Sequence, residues 1–176
     1  MKSARPFGIV LVLALAAGCS AGPSTTYTSA DGSYSVVFPG KPTEKSVTTP
    51  TPIGPITTVF ARYSTAWGRR EYATTSARYP IDSSRYNVEK GLDGARDGGA
   101  RNINATVTHE TKIDYKGIPR RECEMTVPSG VKVRARMYID NSGAQPILYE
   151  ATVADAGGNA SAPDVISFLD SMKLKR

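Results

Sequence analysis

Apolar and polar positions alternate with a period of two over several short stretches of this 176-residue chain. Tyr34, Val36 and Phe38 share one phase of the first stretch, which predicts a strand that ends at Pro39-Gly40. Short turns separate most of the stretches that follow, so we expect hairpins and a meander. The remaining strands are predicted at 43–49, 56–64, 70–79, 105–115, 121–127, 131–139 and 147–153.

In two places the spacing of apolar residues changes from every second residue to every third or fourth, as in an amphipathic helix. The first follows residue 82, with Asp82 or Ser83 as the predicted cap and Gly98-Gly99 as the predicted end. The second has Ser161 as its predicted cap and Pro163 in its first turn. The apolar faces are formed by Val88, Leu92, Ala95 and Gly99 in the first helix, and by Val165, Phe168, Leu169 and Met172 in the second.

A three-residue loop, Pro128-Ser129-Gly130, fixes the register of the two strands that flank it. Apolar residues then oppose each other on one face, and acids oppose bases on the other. The next strand would place Glu150 beside Arg136. The predicted pairs are Val127 with Val131, Met125 with Val133 and Cys123 with Ala135 on one face, and Thr126 with Lys132, Glu124 with Arg134 and Glu122 with Arg136 on the other.

Strands, helix, strands and helix follow one another without the alternation of a parallel sheet. This order predicts an α+β fold, with an antiparallel sheet of about six to eight strands flanked by two main helices. The expected core comprises Val36, Phe38, Val88, Leu92, Val107, Cys123, Met125, Val133, Met137, Tyr149, Phe168 and Leu169.

The first residues indicate export. Lys2 and Arg5 precede an uncharged apolar run from Phe7 to Ala17. Its eleven residues, at about 1.5 Å each, span roughly half of a ~30 Å hydrocarbon core, which is typical of a signal peptide and too short for a membrane span. We therefore predict a signal peptide at 1–18, a Ser/Thr/Gly/Pro-rich tether at 19–30 and one domain at 31–176.

The end of the apolar run, Leu15-Ala16-Ala17-Gly18-Cys19, resembles the bacterial lipobox, although Ala16 stands where that motif most often has Leu. The resemblance implies cleavage between Gly18 and Cys19 and a lipid on Cys19 that holds the domain at a membrane. An ordinary secretory signal cut near Ala17 is the alternative. Ser20 is not the Asp that retains enterobacterial lipoproteins at the inner membrane, so the outer membrane is expected if the cell has one, and otherwise the outer face of the cell membrane.

The distribution of charge argues against nucleic acid as a partner. Loss of residues 1–18 removes Lys2 and Arg5 and lowers the formal net charge from +6 to +4. The basic residues are scattered among acids, which argues against nucleic acid and leaves weak attraction to anionic headgroups or an envelope protein as a partner.

Few residues offer chemistry. If Cys19 carries lipid, Cys123 is left alone and no internal disulfide is available. Cys123 is expected to be a buried thiol rather than a nucleophile, since its strand phase points inward. His109, the only histidine, is expected to be a partly buried strand residue; a hydrolase using it with a serine or carboxylate is the alternative. No metal or cofactor motif is present.

Two groups of residues form the candidate contact surface. Trp67 lies at a predicted hairpin tip beside Arg69 and Arg70, where it could touch headgroups or a partner, or could fold back onto the sheet. Lys132, Arg134 and Arg136 could bind an anion, but a solvated charge ladder with Glu122 and Glu124 is the preferred interpretation.

Several segments together resemble a group of bacterial exported proteins with a PsbP-like fold, an α/β/α sandwich that a small Ran-binding nuclear import factor also uses. The resemblance implies an accessory subunit, assembly factor or binding module without catalysis. None of that fold's binding positions can be matched to a motif here. The segments that carry the resemblance are 31–42, 92–98, 117–122 and 168–174.

Overall fold

The protein is described by a computed structural model over residues 23–65 and 68–175. Its strands belong to two antiparallel sheets, one of seven strands in the order β3-β4-β5-β9-β8-β7-β6 and one of three in the order β1-β2-β10. The elements are β1 (Thr25–Thr28), β2 (Tyr34–Phe38), β3 (Thr43–Thr49), β4 (Ile56–Ser64), β5 (Arg70–Arg78), α1 (Val88–Asn102), β6 (Thr106–Tyr115), β7 (Ile118–Thr126), β8 (Lys132–Asp140), β9 (Ile147–Asp155), α2 (Pro163–Asp170) and β10 (Lys173–Leu174).

The large sheet separates two cores. On one face, α2 and the small sheet bury Phe38, Phe168 and Leu169 against Tyr72 and Val153 of the large sheet. On the other face, α1 buries Leu92 and Ala100 against strands β7 and β8. The α+β class and the antiparallel architecture are thus as predicted, while the small sheet is an addition. All of the expected core residues are buried except Val88 and Val107, which are partly buried at the edge of the α1 core.

The hairpin of β7 and β8 has the predicted register. Cys123 lies opposite Ala135, Glu124 opposite Arg134 and Glu122 opposite Arg136. The prediction for Glu150 is wrong, because β9 pairs Arg136 with Ala151 and places Glu150 opposite Met137, on the α1 face.

The ends of the first helix differ from the prediction. Asp82 caps a separate 3-10 turn at Ser83–Arg85, and the cap of α1 is Asn87, whose side chain accepts a 2.9 Å bond from the Lys90 amide. The helix continues past Gly98-Gly99 because the next residue, Ala100, packs in the core.

A Schellman motif ends α1. Asn104 takes the left-handed conformation with φ 53°, and the Ala105 amide donates to the Ala100 carbonyl at 2.8 Å. In α2, Pro163 occupies the first turn as expected, but Ala162 is the cap residue and makes no side-chain bond. The hydroxyl of Ser161, the predicted cap, accepts from Arg134 at 3.0 Å instead.

Part of the predicted tether belongs to the fold. Residues 25–28 form β1, which pairs with β2 so that Thr25 lies opposite Phe38. Tyr27 packs its ring 5.9 Å from that of Tyr34 and 6.0 Å from that of Phe38. Burial of this one aromatic ring gives a polar Thr-rich strand its place in the small sheet.

Candidate functional site

One half of the large sheet has no helix over it. The helix α1 lies across β7 and β8, and its first two turns are held there by ionic contacts with Arg121, a fully buried side chain. Arg121 Nη2 lies 3.0 Å from Glu89 Oε2 and 2.9 Å from Asp93 Oδ1, both on the helix. Because α1 is fixed to this side, the same face of β4, β5 and β9 stays open beside it.

The open face forms a groove next to the last turn of α1. Ala73 and Thr75 of β5 and Thr152 and Ala154 of β9 are neighbours across the sheet, and their small side chains leave a depression of about 260 Å³. Ile103, which follows the helix and is 41% exposed, forms an apolar wall. The full lining is Phe60, Arg62, Glu71, Ala73, Thr75, Gly99, Asn102, Ile103, Met125, Val133, Glu150, Thr152 and Ala154.

Glu150 is the carboxylate in the floor of this groove. The hydroxyl of Thr152 donates to Glu150 Oε1 at 2.8 Å, and no Lys or Arg of the described residues forms an ion pair with this carboxylate. Burial raises the pKa of Glu150 above its usual range, although the Thr152 hydrogen bond opposes that rise. A carboxylate in such surroundings is more favourable when a donor or a cation reaches it.

The mouth of the groove carries opposite charges. Arg62 and Glu71 lie 3.6 Å apart, and both side chains are more than 40% exposed. Phe60 and Arg62 line both the groove and a neighbouring depression of about 260 Å³ that includes Lys45 and Val47 on β3. A ligand in the groove would therefore meet apolar surface on its sides, Glu150 below and a charged pair at the rim.

The predicted contact residues at the β4–β5 turn behave differently from one another. Arg69 is exposed. Arg70 is not available to a partner, because its guanidinium binds Asp155 and Asp164 and lies 3.4 Å from the Tyr72 hydroxyl. Arg70 therefore fastens β5 to the start of α2, and Trp67 lies outside the described residues.

The predicted contact residues on β8 do form the expected ladder of opposite charges with Glu122 and Glu124. The ladder is largely buried, however, rather than solvated. Glu122 and Arg136 are 9% and 6% exposed, because α2 and the loop before it cover this face of β7 and β8. Arg134 Nε donates to Glu122 at 2.8 Å, and Arg136 Nε donates to the other oxygen of Glu122 at 2.6 Å. Burial would raise the pKa of Glu122, yet these two arginines hold it below its usual range.

Arg134 and Arg136 are already paired with acids of this protein, so they are not free to bind an anion. Arg136 also binds Asp170 of α2, and Arg134 lies 3.2 Å from Glu124. Lys132 donates to the hydroxyl of Thr126 at 2.9 Å and lies, with Arg134, next to the 158–161 loop. Arg136 and Arg134 thus hold α2 and the loop before it on the sheet.

His109 is exposed, in contrast to the partly buried position expected. A bulge between Val107 and His109 changes the phase of β6, so that Val107 lies opposite Met125 whereas His109 lies opposite Glu124. The ring Nε2 is 3.1 Å from the Thr111 hydroxyl, its hydrogen-bond partner within the described residues.

Cys123 is fully buried, as its strand phase predicts. Burial raises the pKa of its thiol to about 12, which leaves almost no thiolate at neutral pH. The described residues hold no cluster of three or more His, Cys, Asp and Glu side chains arranged to bind a metal ion.

Cys19 and Gly18, the predicted lipidation and cleavage positions, lie outside the described residues. Within residues 23–65 and 68–175, no helix is both long enough and apolar enough to cross a lipid bilayer.

The order of elements, with helices on both faces of a seven-stranded antiparallel sheet, is that of a PsbP-like fold. The solution structure of cyanobacterial PsbP (CyanoP) from Synechocystis sp. PCC 6803 matches it with a TM-score of 0.58 and 14% sequence identity, over 93% of this chain and 99% of that one. At this identity the likeness shows the fold alone. No protein-family model matches the chain, and no curated sequence does.

The groove is the part of the molecule that sequence reasoning missed. Its lining comes from five strands of the large sheet and the end of α1, which are far apart in the chain. One signal was present: Glu150 shares its strand phase with Leu148 and Ala154, both of which pack in the α1 core. A carboxylate in an inward phase indicates a site that a charged or donating group must complete.

Proposed function

We propose that this chain is a lipid-anchored protein of the bacterial cell envelope that binds a small amphipathic ligand in the groove beside α1, without catalysis. The observation that carries the binding role is Glu150, a carboxylate with a raised pKa and no ion pair in the described residues, in the floor of a groove whose surface is mostly apolar. The signal-like segment that ends at Cys19 supports the anchor. The PsbP-like fold supports an accessory role beside an envelope protein.

The groove favours a ligand with one hydrogen-bond donor and an apolar body. An amine is the strongest candidate, because a cation beside Glu150 would restore the charged form that burial disfavours. The apolar part would lie on Ala73, Ala154 and Ile103. An anionic ligand would add a second negative charge to the floor and is disfavoured.

Hydrolysis is the weaker candidate. His109 is exposed and bonded to Thr111 on β6, the edge strand farthest from β3 and β4. Glu71 and Glu150 both line the groove, but Glu150 lies opposite Thr75, four residues from Glu71 along β5. Four residues of strand span about 13 Å. Glycosidase carboxylates lie about 5–9.5 Å apart, whereas Glu71 is turned to Arg62 at the rim and Glu150 accepts from Thr152 in the floor.

Hexylamine and hexanoate, which share an apolar chain and differ in charge, test the binding site. Backbone amide shifts of the mature chain should move on addition of hexylamine at Thr75, Thr152 and Ile103, and should not move with hexanoate. Glu150→Gln should weaken hexylamine binding at least tenfold, since an ion pair or charged hydrogen bond contributes about 1.5–3 kcal/mol.

Glu44→Gln is the matched control, because it removes one carboxylate from an exposed position of β3 outside the groove, and the Gln oxygen can still accept from Tyr27. It should leave hexylamine binding within about twofold of the unmodified chain. Equal shifts with both compounds, or no loss in Glu150→Gln, would remove the support for a ligand at Glu150.

The anchor is tested separately. Cys19→Ala should abolish labelling by a fatty-acid analogue and either release the domain into the soluble exported fraction or leave the precursor uncleaved. A variant that remains labelled and membrane-bound would show that Cys19 carries no lipid.

A further inference from the structure

A row of four side chains crosses the open half of the large sheet, from the groove to the edge of the sheet. Glu150 of β9 lies directly opposite Thr75 of β5. Thr75 in turn lies opposite Phe60 of β4, and Phe60 lies opposite Lys45 of the edge strand β3. Residues directly opposite one another in an antiparallel sheet point to the same face. All four side chains therefore lie on the face that carries the groove.

The two ends of this row carry opposite charges. Glu150 lies in the groove floor, where it accepts from the Thr152 hydroxyl at 2.8 Å. Lys45 is exposed and belongs to no ion pair among the described residues. The neighbouring acid, Glu44, points to the opposite face, where it accepts from the Tyr27 hydroxyl. Within the part of the chain that the structure describes, the row thus has an unpaired acid at one end and an unpaired cation at the other.

The surface between the two charges is largely apolar. Phe60 lines both the groove and the depression beside Lys45, so the two hollows adjoin at this side chain. Val47, which is 39% exposed, extends the apolar surface onto the edge strand. The guanidinium carbon of Arg62 lies 5.5 Å from the centroid of the Phe60 ring and adds a second cation to the depression, whose described lining contains no acid. The depression therefore favours an anion, whereas the groove favours an amine.

The spacing of the strands fixes the length of a ligand that would reach both charges. Neighbouring strands lie about 4.8 Å apart, so the three steps from β9 to β3 amount to roughly 14 Å. A short amine such as hexylamine would pair with Glu150 and stop short of Lys45. A longer chain with an amine at one end and an acidic group at the other would pair with both.

We propose that the ligand of this groove is a bipolar amphiphile, with an amine at Glu150, an acidic group at Lys45 and an apolar chain of about 14 Å between them, over Thr75 and Phe60. This inference rests on the proposed binding of an amine at Glu150. It adds the second charged group, the length of the ligand and its direction across the sheet, and it makes Lys45 a residue that determines specificity.

Three probes test the second charge. They are ω-aminoundecanoate, whose extended chain is close to the required length, its methyl ester, which lacks the negative charge, and the shorter ω-aminohexanoate. The mature chain with Cys19→Ser is used, so that no lipid competes for the probes. In titration calorimetry, ω-aminoundecanoate should bind about two- to fivefold more tightly than its ester, as expected for an exposed ion pair. The backbone amide shift of Lys45 should move with the two long probes and not with ω-aminohexanoate.

Substitution of Lys45 should change this preference. Lys45→Gln should make the acid and its ester bind equally well, and Lys45→Glu should make the ester bind more tightly. Lys173→Gln is the matched control, because it removes the same charge from an exposed position of β10, in the small sheet. Its preference for the acid should equal that of the unmodified chain.

The outcomes separate this inference from the binding site on which it rests. If both long probes move the amide shift of Thr75 and bind equally well to the unmodified chain, the groove takes an amine but Lys45 selects no acidic group, and the inference is wrong. A preference for the acid that survives in Lys45→Gln would overturn it as well. If no probe moves the Thr75 amide, the binding site at Glu150 is refuted together with it.

Discussion

Removal of the buried guanidinium of Arg121 should destabilise the protein more than any surface substitution. Three carboxylates surround this side chain: Glu89 at 3.0 Å, Asp93 at 2.9 Å and Glu110, whose Oε1 lies 2.9 Å from Nε. Arg121→Ala would leave these acids facing one another with a void between helix and sheet. The acids that remain are partly exposed, so the cost is that of the lost hydrogen bonds to a charged group, about 1.5–3 kcal/mol out of the 5–15 kcal/mol that stabilises a domain.

Urea unfolding followed by far-UV circular dichroism measures this cost. With a slope of about 2 kcal/mol per molar for a domain of this size, the midpoint of urea unfolding should fall by roughly 0.7–1.5 M. The midpoint of Arg121→Lys should lie between those of the unmodified protein and Arg121→Ala. Lysine keeps the positive charge but cannot reach three acids at once. Arg85→Ala, at an exposed position, is the control and should change stability by less than about 0.5 kcal/mol.

The pH dependence gives a second check on the same network. Hydrogen bonds from Lys112 and Arg121 lower the pKa of Glu89. A lowered pKa in the folded state contributes stability above the ordinary glutamate range that is lost as pH falls through the folded value. The difference in free energy of unfolding between the unmodified protein and Arg121→Ala should therefore become smaller below about pH 4. A midpoint shift under about 0.5 M at pH 7 would refute the view that this arginine fixes α1.

Two further predictions concern the β7–β8 hairpin. Burial raises the pKa of the Cys123 thiol to about 12, so this thiol should react with a disulfide reagent only when urea unfolds the protein. Rapid labelling of the folded protein would contradict this and would mean that β7 opens locally. Arg134→Ala should cost about 1.5–3 kcal/mol, more than an exposed ladder would lose, because Glu122 is left buried with fewer donors. That cost should shrink as pH falls through the lowered pKa of Glu122, and a thermal melt unchanged at pH 7 would contradict it.

Local patterns predicted most of the fold correctly. The register of β7 and β8 follows from one three-residue loop, since a shift of one residue would exchange Cys123 and Glu124 between faces. The strands β1 and β10 were not predicted. With four and two residues respectively, they are too short to show an alternation of apolar and polar positions. Their pairing depends on contacts with β2 that no local pattern encodes.

The candidate site was the hardest part to predict, for a physical reason. Burial of the charged ladder depends on α2 covering β8, and exposure of His109 depends on a single extra residue at the β6 bulge. The groove exists because α1 is fixed to one side of the sheet by Arg121. Each of these features arises from packing between elements distant in sequence.

The small sheet joins the two ends of the described chain. β10 pairs with β2, and the Val37 amide donates to the Ser171 hydroxyl across 134 residues at 2.9 Å. Contacts of such sequence separation form late, because the loop entropy must be lost before they add stability. If the chain is exported as an unfolded polypeptide, the core around Phe38 and Met172 can close only after β10 has emerged. Such a chain would complete its folding after export.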